Sequence, residues 1–243
     1  MTPVGAPGGR LRVGLVAAGR VGTAVARLLA AAGHEATGVW SRGPASAQRA
    51  SSLLGARIGE LDDVVGGAEL VLLGASDDAL ASMAGAVAQA MTGPVIACHF
   101  AGSLGTAPLA PVAAAGGGAC ALHPVQACPD VATALRRLPG SAWGVTCSPG
   151  LEAWASELVR GALGGHPVPV AETDRVLWHA SAVTTANGIV ALLSAGGAML
   201  EAIGVAAPQG VLAPLAAGAA ANVREAGGGG GGAGANQERE RGG

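Results

Sequence analysis

Short apolar runs alternate with segments of helical periodicity along most of the chain. Apolar runs that end at glycine or polar residues predict buried strands, and they lie at residues 11–17, 35–42, 68–76, 94–100, 118–125, 141–147 and 166–170. Apolar residues three or four positions apart predict helices, which lie at residues 20–34, 44–54, 77–90 and 151–163. This alternation is typical of helices packed on both faces of a sheet, so we predict an α/β fold with a doubly wound, mostly parallel sheet.

The pattern changes at Glu172, after which only helical periodicity remains. Residues 173–203 and 207–223 predict two further helices without strands between them. We therefore predict four parts in the chain, a disordered arm at 1–10, the α/β domain at 11–171, a smaller all-α domain at 172–223 and a disordered glycine-rich tail at 224–243.

Residues 180–200 contain no charged side chain, which leaves two interpretations open. An apolar run of this length could span a membrane. However, Asn187, three glycines and several serine and threonine residues interrupt it. These interruptions favour a helix buried between two subunits, so we expect a homodimer that does not contact a membrane.

The composition excludes two kinds of enzyme chemistry. The 243 residues include no lysine and no tyrosine. A Schiff base on lysine and the Tyr/Lys proton relay of short-chain dehydrogenases are therefore excluded. The net charge of −2, without a basic cluster, argues against a nucleic-acid surface.

The cysteines and the N-terminal residues bear on the metal content and the compartment. The four cysteines lack the paired spacing of a zinc site, and the histidines are scattered, so we predict no metal site. We interpret the cysteines as free thiols in a reducing compartment. The first residues contain no apolar signal-peptide core, which favours a cytoplasmic protein.

A glycine-containing turn joins the first predicted strand to the first predicted helix. Its sequence is AAGRVG at residues 17–22, where the dinucleotide-binding fingerprint has GxGxxG. Gly19 would let the backbone approach a pyrophosphate, and Gly22 would let the helix pack closely on the strand. The free N–H groups of the helix N-terminus would bind the phosphates. The position predicts a Rossmann domain with these cofactor-binding residues: Ala17, Ala18, Gly19, Arg20, Val21 and Gly22.

The end of the second predicted strand indicates which nicotinamide cofactor is bound. An NAD-dependent protein has an acidic residue here, and this chain has Ser41 and Arg42 instead. A guanidinium and a hydroxyl suit the 2′-phosphate of NADP(H), and Ser46 adds a third donor. Ala75 and Ser76 are at the end of the third predicted strand, where the nicotinamide half would lie. We therefore predict NADP(H) as the cofactor.

The chain resembles a family of Rossmann-like proteins with a C-terminal domain of unknown function 2520. This family is related to pyrroline-5-carboxylate reductase and the 6-phosphogluconate dehydrogenase superfamily. The resemblance covers residues 11–223, and the segments that carry it are 19–29, 38–48, 68–80, 99–105, 121–128 and 174–193. The chain departs from the family pattern at Ala17, at Trp178 and beyond Asn222, where the glycine tail replaces a further helical region. We therefore expect the helical domain to be truncated.

The resemblance and the strand ends indicate the candidate catalytic residues. By resemblance, Asn187 would orient the substrate and His179 would bind or protonate it. His99 and His123 lie at the ends of predicted strands, and His123, which precedes a proline, is the better candidate.

These observations favour an NADP(H)-dependent oxidoreductase. It would transfer hydride to or from a small carbonyl or imine substrate. The departures from the family pattern keep one alternative open, a non-catalytic protein that binds NADP(H) as a sensor.

Overall fold

The computed structural model describes residues 9–227. The strands of this range are β1 (Arg12–Val16), β2 (Glu35–Trp40), β3 (Leu70–Leu73), β4 (Ile96–His99), β5 (Gly118–Pro124), β6 (Ala142–Cys147) and β7 (His166–Pro169). Its helices are α1 (Arg20–Ala31), α2 (Pro44–Leu54), α3 (Leu61–Gly66), α4 (Asp77–Ala90), α5 (Ala110–Ala114), α6 (Val131–Arg137), α7 (Glu152–Glu157), α8 (Arg175–Ala202) and α9 (Pro208–Gly227).

The seven strands form one sheet in the order β2-β1-β3-β4-β5-β6-β7. Strands β1 to β5 are mutually parallel, β6 pairs antiparallel with β5, and β7 pairs parallel with β6. The prediction of a mostly parallel sheet is confirmed. The sequence did not indicate the reversal at β6, because residues 125–141 are long enough to connect strands in either direction.

Helices cover both faces of the sheet, which confirms the doubly wound arrangement. One face carries α1, α2, α6 and α7, which bury residues such as Leu29, Ala50 and Trp154 against β1, β3, β4 and β5. The other face carries α3, α4 and α5, with Val65, Leu80 and Val112 in its core. All four residues of β3 are buried, as expected for a central parallel strand.

The helical C-terminal part follows the sheet, as predicted. A short 3₁₀ turn (Glu172–Asp174) precedes α8, and α9 extends four residues into the predicted tail. Residues 1–8 of the predicted arm and 228–243 of the predicted tail lie outside the described residues. The chain divides into two compact units between Ala182 and Val183, within α8, whereas the sequence pattern put the domain boundary at 171.

The second unit has almost no core of its own. In its described part, 183–226, only Gly197 and Pro208 are buried. Its large apolar side chains are exposed instead, and the most exposed are Val190, Leu192, Met199, Ile203, Leu215 and Val223.

One helical segment of the described chain, Glu172–Ala202, is long and apolar enough to cross a membrane. Few of its residues are buried. Length and composition do not distinguish a membrane span from a helix that packs against another protein chain.

Candidate functional site

The strand order changes direction between β1 and β3, which creates a crevice at the carboxyl ends of these strands. β2 extends the sheet on one side of β1, and β3, β4 and β5 extend it on the other. In open α/β sheets, ligands bind at such a switch point. The loop of residues 17–19 leaves β1 at this edge, and residues 74–76 leave β3 beside it.

Three glycines pack against one another at this crevice. A Cβ on Gly19 would contact the carbonyl oxygen of Gly74, and a Cβ on Gly22 would lie 3.0 Å from the Cα of Gly74. Neither position has room for a side chain, because the obstacle is backbone. Gly19 and Gly22 were predicted from the fingerprint, but Gly74 was not. Its backbone is the obstacle that excludes a side chain at both positions.

Main-chain hydrogen bonds fix the loop after β1. The N–H of Ala17 donates to the carbonyl oxygen of Trp40 (2.8 Å), and that of Gly19 donates to Ala17 (2.7 Å). Ala17 itself has a φ of +56°, in the left-handed region that disfavours side chains with a Cβ. The backbone at position 17 therefore has a conformation that favours glycine, the residue of the fingerprint, although alanine occupies the position.

The first turn of α1 leaves N–H groups available for an anion. The first hydrogen bond of the helix runs from Thr23 to the carbonyl oxygen of Gly19 (2.9 Å). The preceding N–H groups, those of Arg20, Val21 and Gly22, therefore have no partner within the helix. Together with the helix dipole, they form an environment that suits a pyrophosphate.

Polar side chains follow β2 at the same edge. Arg42 is exposed, Ser41 is half-buried, and neither makes a side-chain hydrogen bond within residues 9–227. Ser46 in the first turn of α2 accepts a hydrogen bond from Arg49 (3.0 Å). Arg49 was not among the predicted residues, although its i+3 spacing from Ser46 on one helix was visible in the sequence.

A cavity of about 470 Å³ lies beside these groups. Its lining includes Ala18 from the loop before α1, Arg20 at the start of α1, Ser46 and Arg49 from α2, and Asp130, which caps the N-terminus of α6. Arg20 also donates to the carbonyl oxygen of Pro129 (3.0 Å), which ties the start of α1 to the loop before α6.

The remaining predicted cofactor contacts follow β3. Ala75 is half-buried, and Ser76 is the exposed residue that precedes α4. The hydroxyl of Ser76 does not cap the helix. Both residues adjoin Gly74 and thus lie at the crevice, where the nicotinamide contacts were predicted.

His99 has a structural environment. Its Nδ1 accepts a hydrogen bond from the N–H of Ala101 (3.2 Å), so the neutral ring carries its proton on Nε2. Nε2 then donates to the carbonyl oxygen of Gly105 (2.7 Å). Burial is the main reason that the pKa of His99 is lowered. His99 is fully buried and closes the loop 99–105, which leaves no ring nitrogen for a ligand.

His123 and His179 lie side by side, although they are 56 residues apart in the chain. Their ring centroids are 5.2 Å apart and the rings are nearly perpendicular. His123 lies near the end of β5, and His179 lies in the second turn of α8. The structure thus brings together two of the three predicted catalytic residues.

Trp178 and Gly102 complete this cluster, and neither was predicted. The indole Nε1 of Trp178 donates to Nδ1 of His123 (3.0 Å). A Cβ on Gly102 would contact Nδ1 of His179 and would lie 2.8 Å from Nε2 of His123. Burial, followed by the charges of His179 and Arg175, lowers the pKa of His123 to about 4.

Arg175 binds the backbone next to the histidine cluster. It is fully buried and donates to the carbonyl oxygens of Leu104 (3.0 Å), Gly144 (3.2 Å) and Ala101 (3.4 Å). Burial lowers its pKa, which the nearby carboxylate of Glu172 partly offsets. A buried guanidinium that binds three carbonyl groups fixes the loop 101–104 against the start of α8.

Asn187, the third predicted catalytic residue, lies beyond the boundary at Val183. It is exposed on α8 in the second compact unit. Its role stays a prediction from the sequence.

The fold and the crevice define an α/β protein with the geometry of a dinucleotide-binding domain. A Rossmann-like domain matches residues 4–124, and a domain of unknown function, DUF2520, matches residues 141–232. These two matches confirm the resemblance to Rossmann-like proteins with a C-terminal domain of unknown function 2520. No curated protein sequence matches it.

Solved structures share the fold at low sequence identity. A candidate NADP oxidoreductase from Bacteroides fragilis has a TM-score of 0.71 and 20% identity, over 89% of this chain and 81% of its own. A pyrroline-5-carboxylate reductase from Coxiella burnetii has a TM-score of 0.68 and 13% identity, over 89% and 81%. A reductive aminase from Aspergillus terreus, solved with NADPH and ethyl levulinate, has a TM-score of 0.68 and 15% identity, over 90% and 75%.

Proposed function

We propose that the chain is an NADP(H)-dependent oxidoreductase that transfers hydride to or from a small carbonyl or imine. The observation that carries the proposal is the backbone contact of Gly19 with Gly74, next to the free N–H groups of α1. This arrangement supports binding of a pyrophosphate at the switch point of the sheet. The NADP-linked reductases among the structures of similar fold agree with it.

The choice of NADP(H) over NAD(H) rests on the side chains after β2. Arg42 is exposed at the carboxyl end of the strand, and no acidic residue stands beside it to bind a ribose 2′-hydroxyl. Ser41 and Ser46 add hydroxyl groups, and Arg49 adds a second guanidinium. Two guanidinium groups form strong, charge-assisted hydrogen bonds with a 2′-phosphate. An uncharged ribose hydroxyl offsets much less of the cost of removing water from them.

The substrate would bind at the histidine cluster. NADPH, when bound, supplies the hydride, so the protein has to orient the substrate and stabilise the charge that develops on its oxygen or nitrogen. His123 and His179 are the polar side chains of the first unit that we propose for this task.

A cofactor titration followed by a substrate panel tests the proposal. NADPH fluorescence should change on binding, with an affinity at least tenfold higher than that for NADH. Ketones, ketoacids and cyclic imines should then be screened for consumption of NADPH. Binding without consumption of any panel member would support the sensor alternative, and a folded protein without affinity for either nucleotide would refute both.

We also propose that the second unit is covered by another copy of the chain. Exposed apolar side chains on α8 and α9, such as Leu192 and Leu215, leave this unit without a core of its own. Light scattering during gel filtration should give the mass of a dimer at micromolar concentrations. A monomer at all concentrations would contradict the proposal, and a chain that stays in the membrane pellet after a carbonate wash would favour the membrane span.

A further inference from the structure

The two ring nitrogens of His123 have different environments. Nδ1 accepts the hydrogen bond of the Trp178 indole, which can only donate. Nδ1 therefore carries no proton, and the proton of a neutral ring must be on Nε2. No hydrogen bond to Nε2 is formed within residues 9–227, so this N–H remains available to a ligand.

The surroundings of His123 keep its ring uncharged. Burial disfavours the imidazolium, and the neighbouring His179 and Arg175 disfavour it further, so the pKa of His123 falls to about 4. At neutral pH the ring can donate a hydrogen bond but is not a source of a proton in the way that an imidazolium would be.

Gly102 allows the two histidine rings to approach each other. Any side chain at this position would collide with Nδ1 of His179 and would crowd Nε2 of His123. Nδ1 of His179 is buried against this loop without a hydrogen-bond partner in the described chain. A buried lone pair without a partner costs less than a buried N–H without one, so the proton of a neutral His179 also belongs on Nε2.

We propose that Trp178 is a positioning residue that fixes His123 in the Nε2–H tautomer, so that His123 donates a hydrogen bond to the carbonyl oxygen or imine nitrogen of the substrate. This inference rests on the proposed function and assigns a role within it. A donor with a fixed direction polarises the acceptor bond and stabilises the negative charge that develops on it during reduction. Trp178 acts only through His123, whose Nε2 is the atom that would touch the substrate.

The tautomer can be measured without any substrate. The ring nitrogens of His123 should be assigned by long-range ¹H–¹⁵N NMR in the full chain, with a His123→Gln variant to identify its signals. We expect a pyridine-type Nδ1 and a pyrrole-type Nε2 that stay unchanged from pH 7.5 to 5.5. A proton on Nδ1, or a charged ring in this range, would overturn the proposal.

Variants separate positioning by the indole from a general structural effect. Trp178→Phe keeps an aromatic ring but removes the donor, so His123 should show a mixture of both tautomers. Trp154→Phe, at a buried tryptophan in α7, is the matched control and should leave the His123 signals unchanged. A His123 ring that keeps its single tautomer in Trp178→Phe would show that the indole does not hold it. If Trp178→Phe does not fold, the wild-type spectrum still decides the tautomer.

Kinetics with an active panel substrate tests the contact with the substrate. Trp178→Phe should lower kcat about tenfold with little change in KM, since a correctly oriented donor matters most in the transition state. Trp178→Tyr, which places a hydroxyl donor on the ring, should recover part of the loss. An unchanged kcat in Trp178→Phe would refute the role in catalysis. If the chain consumes no substrate but His123 shows the expected tautomer, the proposed function is refuted and the positioning of His123 by Trp178 is not.

Discussion

Gly19 and Gly74 touch backbone to backbone across the ends of β1 and β3. A Cβ on Gly74 would contact the carbonyl oxygen of Ala17 and would lie 2.8 Å from the nitrogen of Gly19. The loop that would hold a pyrophosphate therefore rests on the end of the neighbouring strand. Its shape depends on two positions that are 55 residues apart in the chain.

Gly74→Ala should damage both stability and cofactor binding. The new methyl group meets backbone atoms that cannot turn away, so the variant should lose about 1–3 kcal/mol of unfolding free energy, as overpacked sites do. Urea unfolding measures this loss, and NADPH fluorescence should show weaker binding. Gly85→Ala in α4 is the control, because a Cβ at Gly85 meets nothing within 4 Å. It should stabilise the helix by about 1 kcal/mol, and an equal gain in Gly74→Ala would contradict the close contact.

Ala17→Gly should stabilise the protein. Ala17 has a φ of +56°, where an alanine costs about 1–2 kcal/mol, and the greater freedom of an unfolded glycine offsets part of this. We expect a net gain of about 0.5–1 kcal/mol in urea unfolding. Ala207→Gly, at a φ of +52°, should give a similar gain without any effect on NADPH binding. A loss of stability in Ala17→Gly would show that the left-handed conformation does not limit this loop.

Arg42→Glu should reverse the preference for NADP(H). The carboxylate repels a 2′-phosphate and can accept a hydrogen bond from a ribose 2′-hydroxyl, so the affinity for NADPH should fall about tenfold or more. The affinity for NADH should stay or rise. Arg160→Glu makes the same change of charge at an exposed residue beyond α7 and is the control. An unaltered ratio of the two affinities in Arg42→Glu would exclude Arg42 from the phosphate site.

The low pKa of His123 should make stability depend on pH. Unfolding restores its pKa to about 6.5, whereas the folded value is about 4, so the unfolded chain binds the proton first as the pH falls. The stabilising contribution is complete above pH 6.5 and is lost as the pH falls from 6.5 towards 4. His34 and His99, whose pKa values burial also lowers, act in the same direction.

Urea unfolding at pH 7.5 and pH 5.0 isolates the part that comes from His123. The loss of unfolding free energy between these pH values should be smaller in His123→Gln than in the wild type. His166→Gln, at an exposed histidine of β7, should leave the loss unchanged. An identical loss in wild type and His123→Gln would show that the folded ring is charged as readily as the unfolded one.

Much of the fold could be predicted because the signals for it are local. The seven strands and the helices α1, α2 and α4 follow from apolar runs and helical spacing over a dozen residues or fewer. The short helices α3, α5 and α6 were not predicted, since five to seven residues carry too little periodicity. The direction of β6 was not predicted either. The segment that connects it to β5 is long enough for parallel or antiparallel pairing, so the local sequence does not decide between them.

The sequence by itself determined the turn after the first strand, its two glycines, the absence of an acid after the second strand, and the histidines worth testing. These features depend on residue type and on short spacings, which can be read directly from the sequence. Only the tertiary structure decided that Gly74 closes on Gly19, that Arg175 is buried under the loop 101–104, and that Trp178 donates to His123. Such contacts join segments separated by 55 to 74 residues, and they exist because the sheet brings its strand ends to one edge and α8 begins beside them.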